Sequence, residues 1–313
     1  MAPITLSPAR LAQAERFIQQ TARPLDQALF AYRFYDGPAD AVLTALAAYQ
    51  NADGGFGQAI EPDFRLAASS PMATSVGLQY ATAVAAPADH PIITRAVHYL
   101  LDTYDLASDY WPATYANVND APHAFWWHMD GEKPTPPDEG IWPNPSAELV
   151  GYLHRYQTLV PPGFLERVTA RAEANLHSAP LIGGEKPQQY SLLCWQRAAP
   201  YLPQKMRTAV QEAIERTLHA FGPIQPGTFN ELSVLALAPE PDTALARIAP
   251  EAVARSLDAE IARQRDDGGW WPNWHWGQYE DVWPVAEKEW TGKITGETLW
   301  TLRQFDRIAG AGA

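Results

Sequence analysis

The sequence predicts an all-α protein in which the helices pair as hairpins. Three observations support this prediction: prolines stand where helical periodicity begins, strand-like alternation is missing, and helix starts recur at intervals of about 42 residues in the middle of the chain. Such a recurrence is typical of stacked helical hairpins, which either extend as a solenoid or close into a ring. No change in composition marks a linker, so we expect residues 1–313 to form a single domain.

About twelve helices are predicted from local signals. Proline is tolerated in the first turn of a helix because its missing N–H would have no intrahelical partner there. The helix starts marked in this way are at Pro8, Pro38, Pro71, Pro91, Pro145, Pro162, Pro187, Pro203 and Pro250. Thr228 and Thr295 are expected to cap two further helices. Residues 105–143 and 268–293 are rich in tryptophan and lack sustained periodicity, so we predict that both are loops.

Two stretches share one pattern, Gln50-Asn51-Ala52-Asp53-Gly54-Gly55-Phe56 and Gln264-Arg265-Asp266-Asp267-Gly268-Gly269-Trp270. We expect a helix to end at each Gln and the Asp side chain to bond nearby backbone groups. The glycine pair permits a turn with positive φ, after which the aromatic residue packs onto the turn. The protein is therefore predicted to be built of repeats.

Polar residues occupy the third position of each helix that follows a Gly- or Pro-rich turn. These positions are Thr74, Glu148, Gln189, Glu231 and Glu297. If the helices are equivalent, the extra residues of the first and last intervals fall in the two tryptophan-rich loops. Insertions at equivalent points of a repeat protein emerge on one face, which is often the binding face. Both loops are therefore expected to cover the same opening.

The formal net charge is −13, which disfavours nucleic acid as a partner because its phosphates would be repelled. No apolar run approaches the roughly 18 residues that a membrane span requires. The single cysteine, Cys194, cannot form an internal disulfide, and the N terminus has no signal-peptide pattern. We therefore expect a cytoplasmic protein with a small-molecule partner, of an oligomeric state that the sequence does not indicate.

Both copies of the Gln-x-x-Asp-Gly-Gly-aromatic pattern resemble the repeat motif of the terpenoid cyclase and protein prenyltransferase superfamily, as in squalene-hopene cyclases. The resemblance implies an α/α toroid of about six hairpins, with an inner ring of helices around a central cavity and an outer ring around those. It also implies an apolar, isoprenoid-like substrate and acid-assisted cyclisation or isomerisation.

The chemical signatures of that superfamily are missing from this chain. Asn117-Val118-Asn119-Asp120 is the string nearest to the Asp-x-Asp-Asp acid motif, and no Asp-Asp-x-x-Asp run is present for magnesium and diphosphate. Cys194 has no Asp shortly before it, whereas protein prenyltransferases hold zinc with Asp, Cys and His. We therefore expect the protein to use no metal and no other cofactor.

Glu148, Glu231 and Glu297 are the candidate catalytic acids. When carboxylates are brought together away from water, the pKa of at least one rises, so that it can donate a proton near neutral pH. Such a group can protonate an alkene, an epoxide or a glycosidic oxygen. The alternatives are helix capping, as in a capping box of Thr228 and Glu231, and simple exposure to solvent.

Asp120, His123 and His128 are candidate acid and base groups of a lid formed by residues 105–143. Histidine exchanges protons near pH 7, and the rings of Trp126 and Trp127 can hold a cation or the flat side of a sugar. In the alternative interpretation, the tryptophans anchor the loop and the histidines bond backbone groups. A metal site at the two histidines has no third ligand and is not favoured.

Candidate substrate-binding residues are Trp126, Trp127, Trp142, Trp271, Trp274, Trp276, Tyr279, Gln189 and Thr74. The aromatic ones suit either an isoprenoid, whose carbocations π faces stabilise, or a carbohydrate stacked on indole rings. Trp270 is expected to pack on its Gly-Gly turn instead. Glu61 and Asp63 are interpreted as solvated loop residues, with a pair of cavity acids as the alternative, and Cys194 as a buried packing residue.

Together these observations favour a terpene cyclase-like enzyme with a largely apolar substrate. The first alternative is a glycosidase or lyase on an α/α barrel, which would need two carboxylates about 5–10 Å apart. The second is a small-molecule binding protein without catalytic activity.

Overall fold

The structure, a computed structural model, describes residues 3–131, 144–178, 189–220, 224–225, 228–229 and 232–310. Over these ranges it contains thirteen α-helices and one antiparallel pair of two-residue strands, which confirms the all-α prediction. The helices are α1 Pro8–Thr21, α2 Pro24–Tyr35, α3 Ala39–Ala47, α4 Pro71–Ala83, α5 Pro91–Thr103, α6 Ser146–Arg155, α7 Pro162–Ser178, α8 Gln189–Ala198, α9 Gln204–Ala220, α10 Val234–Leu237, α11 Ala244–Ile248, α12 Pro250–Arg263 and α13 Trp283–Gln304. None of these helices is both long and apolar enough to cross a membrane.

The chain divides into two compact units where the sequence shows no boundary. The terminal unit comprises Met1–Pro38 and Leu218–Ala313, and the central unit comprises Ala39–Thr217. Each unit is described separately below.

In the central unit, buried helices alternate with helices that expose one face. α4 and α6 are buried along almost their whole length, and α6 packs against α4, α7 and α8. α5 and α7 bury only one stripe each, for example Val168, Ala172 and Leu176 of α7. We call α4, α6 and α8 the inner helices of this unit, because the candidate site is built on them.

In the terminal unit, the two ends of the chain meet. Leu6 forms a parallel bridge with Ile308, and its backbone N–H donates to the carbonyl oxygen of Arg307 at 2.7 Å. The long helix α13 packs against both α1 and α2, and Gly292 lets it approach closely, since a Cβ there would lie 2.7 Å from the Cβ of Ala22. The N-terminal helices are thus part of the same core as the C-terminal helix.

The two Gly-Gly turns have the same hydrogen bonds. Gln50 Nε2 donates to the carbonyl oxygens of Gly54 and Ile92, both at 2.9 Å. Gln264 Nε2 donates to Gly268 at 2.9 Å and to Arg10 at 3.0 Å. Each turn is therefore tied both to itself and to a second helix, which is α5 for the first turn and α1 for the second.

Aspartate and glycine fill the roles that the sequence predicts for them in these turns. Asp53 accepts from the N–H of Gly55 at 3.0 Å, and Asp267 from that of Gly269 at 2.8 Å. Gly54 and Gly268 have φ of 92° and 94°. A Cβ at Gly268 would also lie 2.5 Å from the carbonyl oxygen of Gln13, so both the backbone angle and the close helix exclude a side chain there.

The aromatic residue after each glycine pair is held by a threonine hydroxyl. The backbone N–H of Phe56 donates to Thr74 Oγ1, and that of Trp270 donates to Thr295 Oγ1, both at 3.0 Å. Thr74 is therefore the structural equivalent of Thr295. The prediction that Thr74 and Glu297 occupy equivalent helix positions is therefore wrong by two residues.

The second tryptophan-rich loop is shorter than predicted. Helix α13 begins at Trp283 with Pro284 in its first turn, so the loop ends at residue 282 and not at 293. Thr295 lies inside α13, where its hydroxyl donates to the carbonyl oxygen of Thr291, and it does not cap the helix.

The prediction of a helix capped by Thr228 is also wrong. Thr228–Phe229 pairs with Leu232–Ser233 as strands, and Ser233 caps the short α10 instead.

A third copy of the turn lies between α5 and α6, where the sequence has no glycine pair. Asp109 has φ of 58°, the left-handed value that Gly54 supplies in the first copy. The N–H of Trp111 donates to Ser146 Oγ at 3.0 Å, just as Phe56 donates to Thr74. Asp109 tolerates this backbone conformation better than most residues with a side chain, which explains how the turn forms without glycine.

An arginine from a neighbouring helix closes each of the three turns. Arg10 of α1, Arg95 of α5 and Arg167 of α7 donate through Nη2 to turn carbonyl oxygens. The acceptors are Gln264, Asn51 and Leu106 respectively. The repeat therefore consists of a helix, a turn, a buried helix and a further helix that covers the turn. The covering helix is the next one in the chain for the first and third turns and α1 for the second.

Candidate functional site

Glu148 lies at the centre of a hydrogen-bond network in the central unit. It stands in the first turn of α6 and is only 1% exposed. Its Oε1 accepts from Gln79 Nε2 at 2.9 Å and from the Tyr152 hydroxyl at 2.5 Å, and its Oε2 accepts from Arg197 Nη1 at 3.4 Å. Three inner helices, α4, α6 and α8, thus converge on one carboxylate.

Local sequence explains how this network is assembled. Tyr152 is four residues after Glu148, so both side chains lie on the same face of α6. Gly151 permits close approach of α8, since a Cβ there would lie 2.6 Å from Ala198 Cα. The neighbouring Arg197 is brought to the carboxylate by that approach.

Capping does not account for Glu148, because no side-chain bond caps the start of α6 and all three partners are side chains. Burial raises the pKa of the Tyr152 phenol well above 10, and the negative charge of Glu148 raises it further. Tyr152 therefore keeps its proton and donates to the carboxylate. In every one of its observed hydrogen bonds, Glu148 is the acceptor.

The network has one edge that is open to solvent. The Arg197 side chain is 38% exposed, and Gln79 is also partly exposed, whereas Glu148 and Tyr152 are buried. Cys194, on the same helix as Arg197, is buried as predicted, and burial raises the pKa of its thiol. The network therefore presents the Arg197 guanidinium and the Gln79 amide to solvent, in front of a buried carboxylate that is paired with Arg197.

The other two candidate acids belong to the terminal unit. Glu297 belongs to the terminal unit, where its half-exposed carboxylate pairs with Lys293, and it lies within α13 rather than in a first turn. Glu231 lies outside the described residues, as do Trp142 and the side chain of Gln189. The three-carboxylate cluster therefore stays a prediction.

Thr74 is buried and holds the first turn, so its predicted role in substrate binding is replaced by a structural one.

His123 and His128 are joined by a hydrogen bond of 3.2 Å between Nε2 and Nδ1. His123 is buried, and its Nδ1 lies 2.6 Å from the carbonyl oxygen of Ala121, which can only accept. A neutral His123 therefore carries its hydrogen on Nδ1 and accepts from His128, which is exposed. The two histidines are brought together as predicted, whereas Asp120 is exposed on a neighbouring 3-10 turn, Ala116–Asp120.

The loop that carries these histidines is fixed to the first turn region. The backbones of Phe64 and His123 form an isolated antiparallel β-bridge, and the N–H of Ala124 donates to the carbonyl oxygen of Asp63 at 2.8 Å. Trp127 packs edge-on against Phe64 with centroids 5.1 Å apart, which is the anchoring role of the alternative interpretation. Trp126 is 41% exposed and available to a ligand.

Glu61 and Asp63 are each only 7% exposed, so their interpretation as solvated loop residues is wrong. The segment that contains them is covered by residues 121–124, which the sequence places far along the chain. Burial is what the alternative, a pair of cavity acids, requires of them, and the cavity itself stays a prediction.

The aromatic residues of the second loop divide into packed and accessible ones. Trp276 is fully buried against Trp283, which removes it from the candidate ligand contacts. Trp270 is also buried, as predicted for the motif position. Trp271 donates through Nε1 to Asp267 at 2.8 Å and carries the Arg265 guanidinium on its face, so it belongs to the turn. Trp274 is partly exposed and Tyr279 is 38% exposed.

In the described parts of the chain, no group of three or more His, Cys, Asp or Glu side chains is arranged to hold a metal ion. No protein-family model matches the sequence, and no curated protein is significantly similar to it.

Proposed function

We propose that this chain is an α/α toroid enzyme of the terpenoid cyclase type that isomerises or cyclises an isoprenoid-like substrate. The toroid is supported by the last repeat, in which the turn after α12 is covered by α1 from the other end of the chain. In an open solenoid, the last turn would have no following helix to cover it. In a ring, the helix that follows the last one is the first one.

The catalytic part of the proposal is supported by the Glu148 network. A buried carboxylate that accepts hydrogen bonds from three side chains is held in one position, and none of these three bonds caps the helix. A carboxylate in such a site can remove the proton that ends the reaction. We therefore assign to Glu148 the role of base, in place of the acid expected from the sequence.

The proton balance of an isomerisation is then simple. One carbon of the substrate alkene gains a proton, and the other becomes a carbocation. The next carbon beyond the cation then loses a proton to Glu148, so that the double bond moves by one position. The incoming proton is assigned to the histidine pair of the lid, in which exposed His128 exchanges with solvent and His123 holds its ring in place.

Solvent deuterium provides the test. The purified protein is incubated in D2O with a panel of prenyl alcohols and prenyl diphosphates, and the products are analysed by mass spectrometry for rearranged skeletons that carry deuterium. Glu148→Gln should lower the rate about 10²- to 10⁴-fold, because a general base is lost. Glu297→Gln is the matched control and should leave the rate nearly unchanged.

Circular dichroism and thermal melting must show that Glu148→Gln is folded. Arg197→Gln is a second variant that changes the network on its exposed side, where folding is less affected. Full activity of a folded Glu148→Gln protein would contradict its role as base. Failure of every prenyl substrate to react with the wild-type protein would contradict the proposed reaction.

A further inference from the structure

Residues 119–129 form a closed strap in the central unit. Asn119 joins its two ends, since Nδ2 donates to the carbonyl oxygen of Met129 at 2.8 Å and Oδ1 accepts from the Met129 N–H at 3.0 Å. Between these ends lies the 3-10 turn Phe125–Trp127, with one histidine before it and one after it. The two histidines therefore belong to opposite arms of one closed loop.

One arm of the strap is bonded to the segment 63–65 through backbone groups. The N–H of Arg65 donates to the carbonyl oxygen of Pro122, and the N–H of Ala124 donates to that of Asp63, both at 2.8 Å. Residues 125–128 form the other arm, which makes no backbone hydrogen bond to residues 63–65. The backbone therefore fixes only the first arm to the rest of the unit.

Side chains hold the second arm. Nε2 of His123, on the first arm, lies 3.2 Å from Nδ1 of His128, on the second, and the two ring planes are inclined by only 18°. Trp127 lies between the two histidines in the chain, and its ring packs edge-on against Phe64. The hydrogen bond between the histidines is thus a polar tie from the second arm to the fixed one.

This tie accepts a limited number of protons. Because His123 Nδ1 donates to the carbonyl oxygen of Ala121, one hydrogen is shared between the two nitrogens of the tie when both rings are neutral. One added proton is accommodated on the exposed ring of His128, and the tie becomes a charge-assisted hydrogen bond. A second added proton would have to lie on His123 Nε2, where it would face the N–H of His128. The tie therefore exists with no added proton or with one, and it is lost with two.

Charged groups of both signs lie in the segments next to the pair. In the described part of the chain these residues are Glu61, Asp63, Arg65, Asp120 and Asp130. Their charges act on the pair as a whole. The conflict made by the second proton is local instead, since it lies between two N–H groups that face each other across 3.2 Å.

We propose that the histidine pair is a pH-sensitive latch on the strap. When both rings take up a proton in weakly acidic solution, the arm of residues 125–128 is released, while the other arm keeps its backbone hydrogen bonds to residues 63–65. Trp127 then leaves Phe64, because the turn that carries it lies between the two histidines. The proposal concerns the movement of the strap alone and does not depend on the reaction assigned to Glu148.

The test is hydrogen–deuterium exchange of the full-length protein, measured by mass spectrometry at about pH 7.5 and about pH 5 and corrected for the intrinsic pH dependence of amide exchange. The amides of Trp127, His128 and Met129 report on the second arm, since all three are hydrogen-bonded within the strap. We expect their corrected exchange to rise about tenfold or more at the lower pH. Exchange of residues 63–65 should change little, which shows that the fold is intact.

His128→Asn is the variant that separates the tie from its titration. The asparagine amide can place Nδ2 or Oδ1 near the position of His128 Nδ1, so it can donate to a neutral His123 or accept from a protonated one. The strap of this variant should stay protected at both pH values. His98→Asn is the matched control, because His98 is an exposed histidine of α5 in the same unit, and its strap should open at the lower pH as in wild type.

His128→Ala removes the tie altogether, and its strap should exchange fast at both pH values. If this variant were protected as well as wild type at about pH 7.5, the histidine bond would not hold the arm. Full protection of the wild-type strap at about pH 5, or equal opening of wild type and His128→Asn, would also overturn the proposal.

Discussion

The backbone N–H of Trp270 donates to the hydroxyl oxygen of Thr295 at 3.0 Å, in the buried core of the terminal unit. The same hydroxyl donates to the carbonyl oxygen of Thr291 at 2.7 Å, so it uses both its donor and an acceptor site. Phe56 and Thr74 make the equivalent contact in the central unit. One threonine hydroxyl therefore joins each motif turn to the buried helix that follows it.

Replacement of Thr295 by valine should destabilise the protein by about 1–3 kcal/mol, because the buried N–H of Trp270 would lose its acceptor. Thr295→Ser keeps the hydroxyl and should cost less. Urea unfolding followed by tryptophan fluorescence measures both. If valine and serine gave the same free energy of unfolding, the hydrogen bond would not be the reason for the threonine.

Gly268→Ala should cost at least about 2 kcal/mol, because it combines left-handed backbone strain with overlap between the new Cβ and the Gln13 carbonyl group. Gly296→Ala is the matched control within α13, where a Cβ would meet nothing within 4 Å. It should stabilise the protein by about 0.5–1 kcal/mol through its higher helix propensity. Thermal unfolding of the two variants should shift in opposite directions, and a shift in the same direction would contradict this account.

Removal of residues 1–21 should expose the second turn to proteolysis. Gln264 would lose the Arg10 carbonyl acceptor, and Gly269 would lose the covering ring of Phe17. Trypsin should then cut after Arg263 and Arg265, at the start of the turn, at a much higher rate than in the intact protein. Addition of a peptide of residues 1–21 should restore protection. Equal cleavage with and without α1 would show that the first helix does not complete the last repeat.

Alkaline pH should destabilise the protein partly through Tyr152. Its folded pKa is raised above the unfolded value of about 10 by burial and by Glu148, so the neutral phenol is favoured in the folded state. This stabilisation is complete below about pH 10 and is lost as the pH rises from there towards the folded pKa. The free energy of unfolding of Tyr152→Phe should therefore fall less between about pH 9 and pH 11 than that of wild type. An equal fall in the free energy of unfolding of the two proteins over this pH range would contradict the effect assigned to Tyr152.

The sequence predicted the motif turns well because their chemistry is local. Gln264, Asp267 and Gly268 make their defining contacts within five residues, and such contacts follow from residue type and spacing. The third turn was missed because Asp109 takes the left-handed position without a glycine to mark it. An aspartate is common in many other settings, so no signal in the single sequence distinguishes this one.

The candidate site was predicted only in part. Glu148 was identified from its position in a helix, but its partners Gln79 and Arg197 were not, because they come from helices 69 and 49 residues away in the chain. The sequence predicts that Glu61 and Asp63 are solvated, because burial by residues 121–124 cannot be read from neighbouring residues.

By itself, the sequence determined that the chain is helical, where most helices begin, and how the glycine turns fold, since proline, aspartate and glycine act on backbone groups beside them. Only the tertiary structure decided which helix covers each turn, and which carboxylate is buried and which is half exposed. These outcomes depend on side chains that meet across the packed interfaces of distant helices, and the energy of such a contact exists only once the helices are in place.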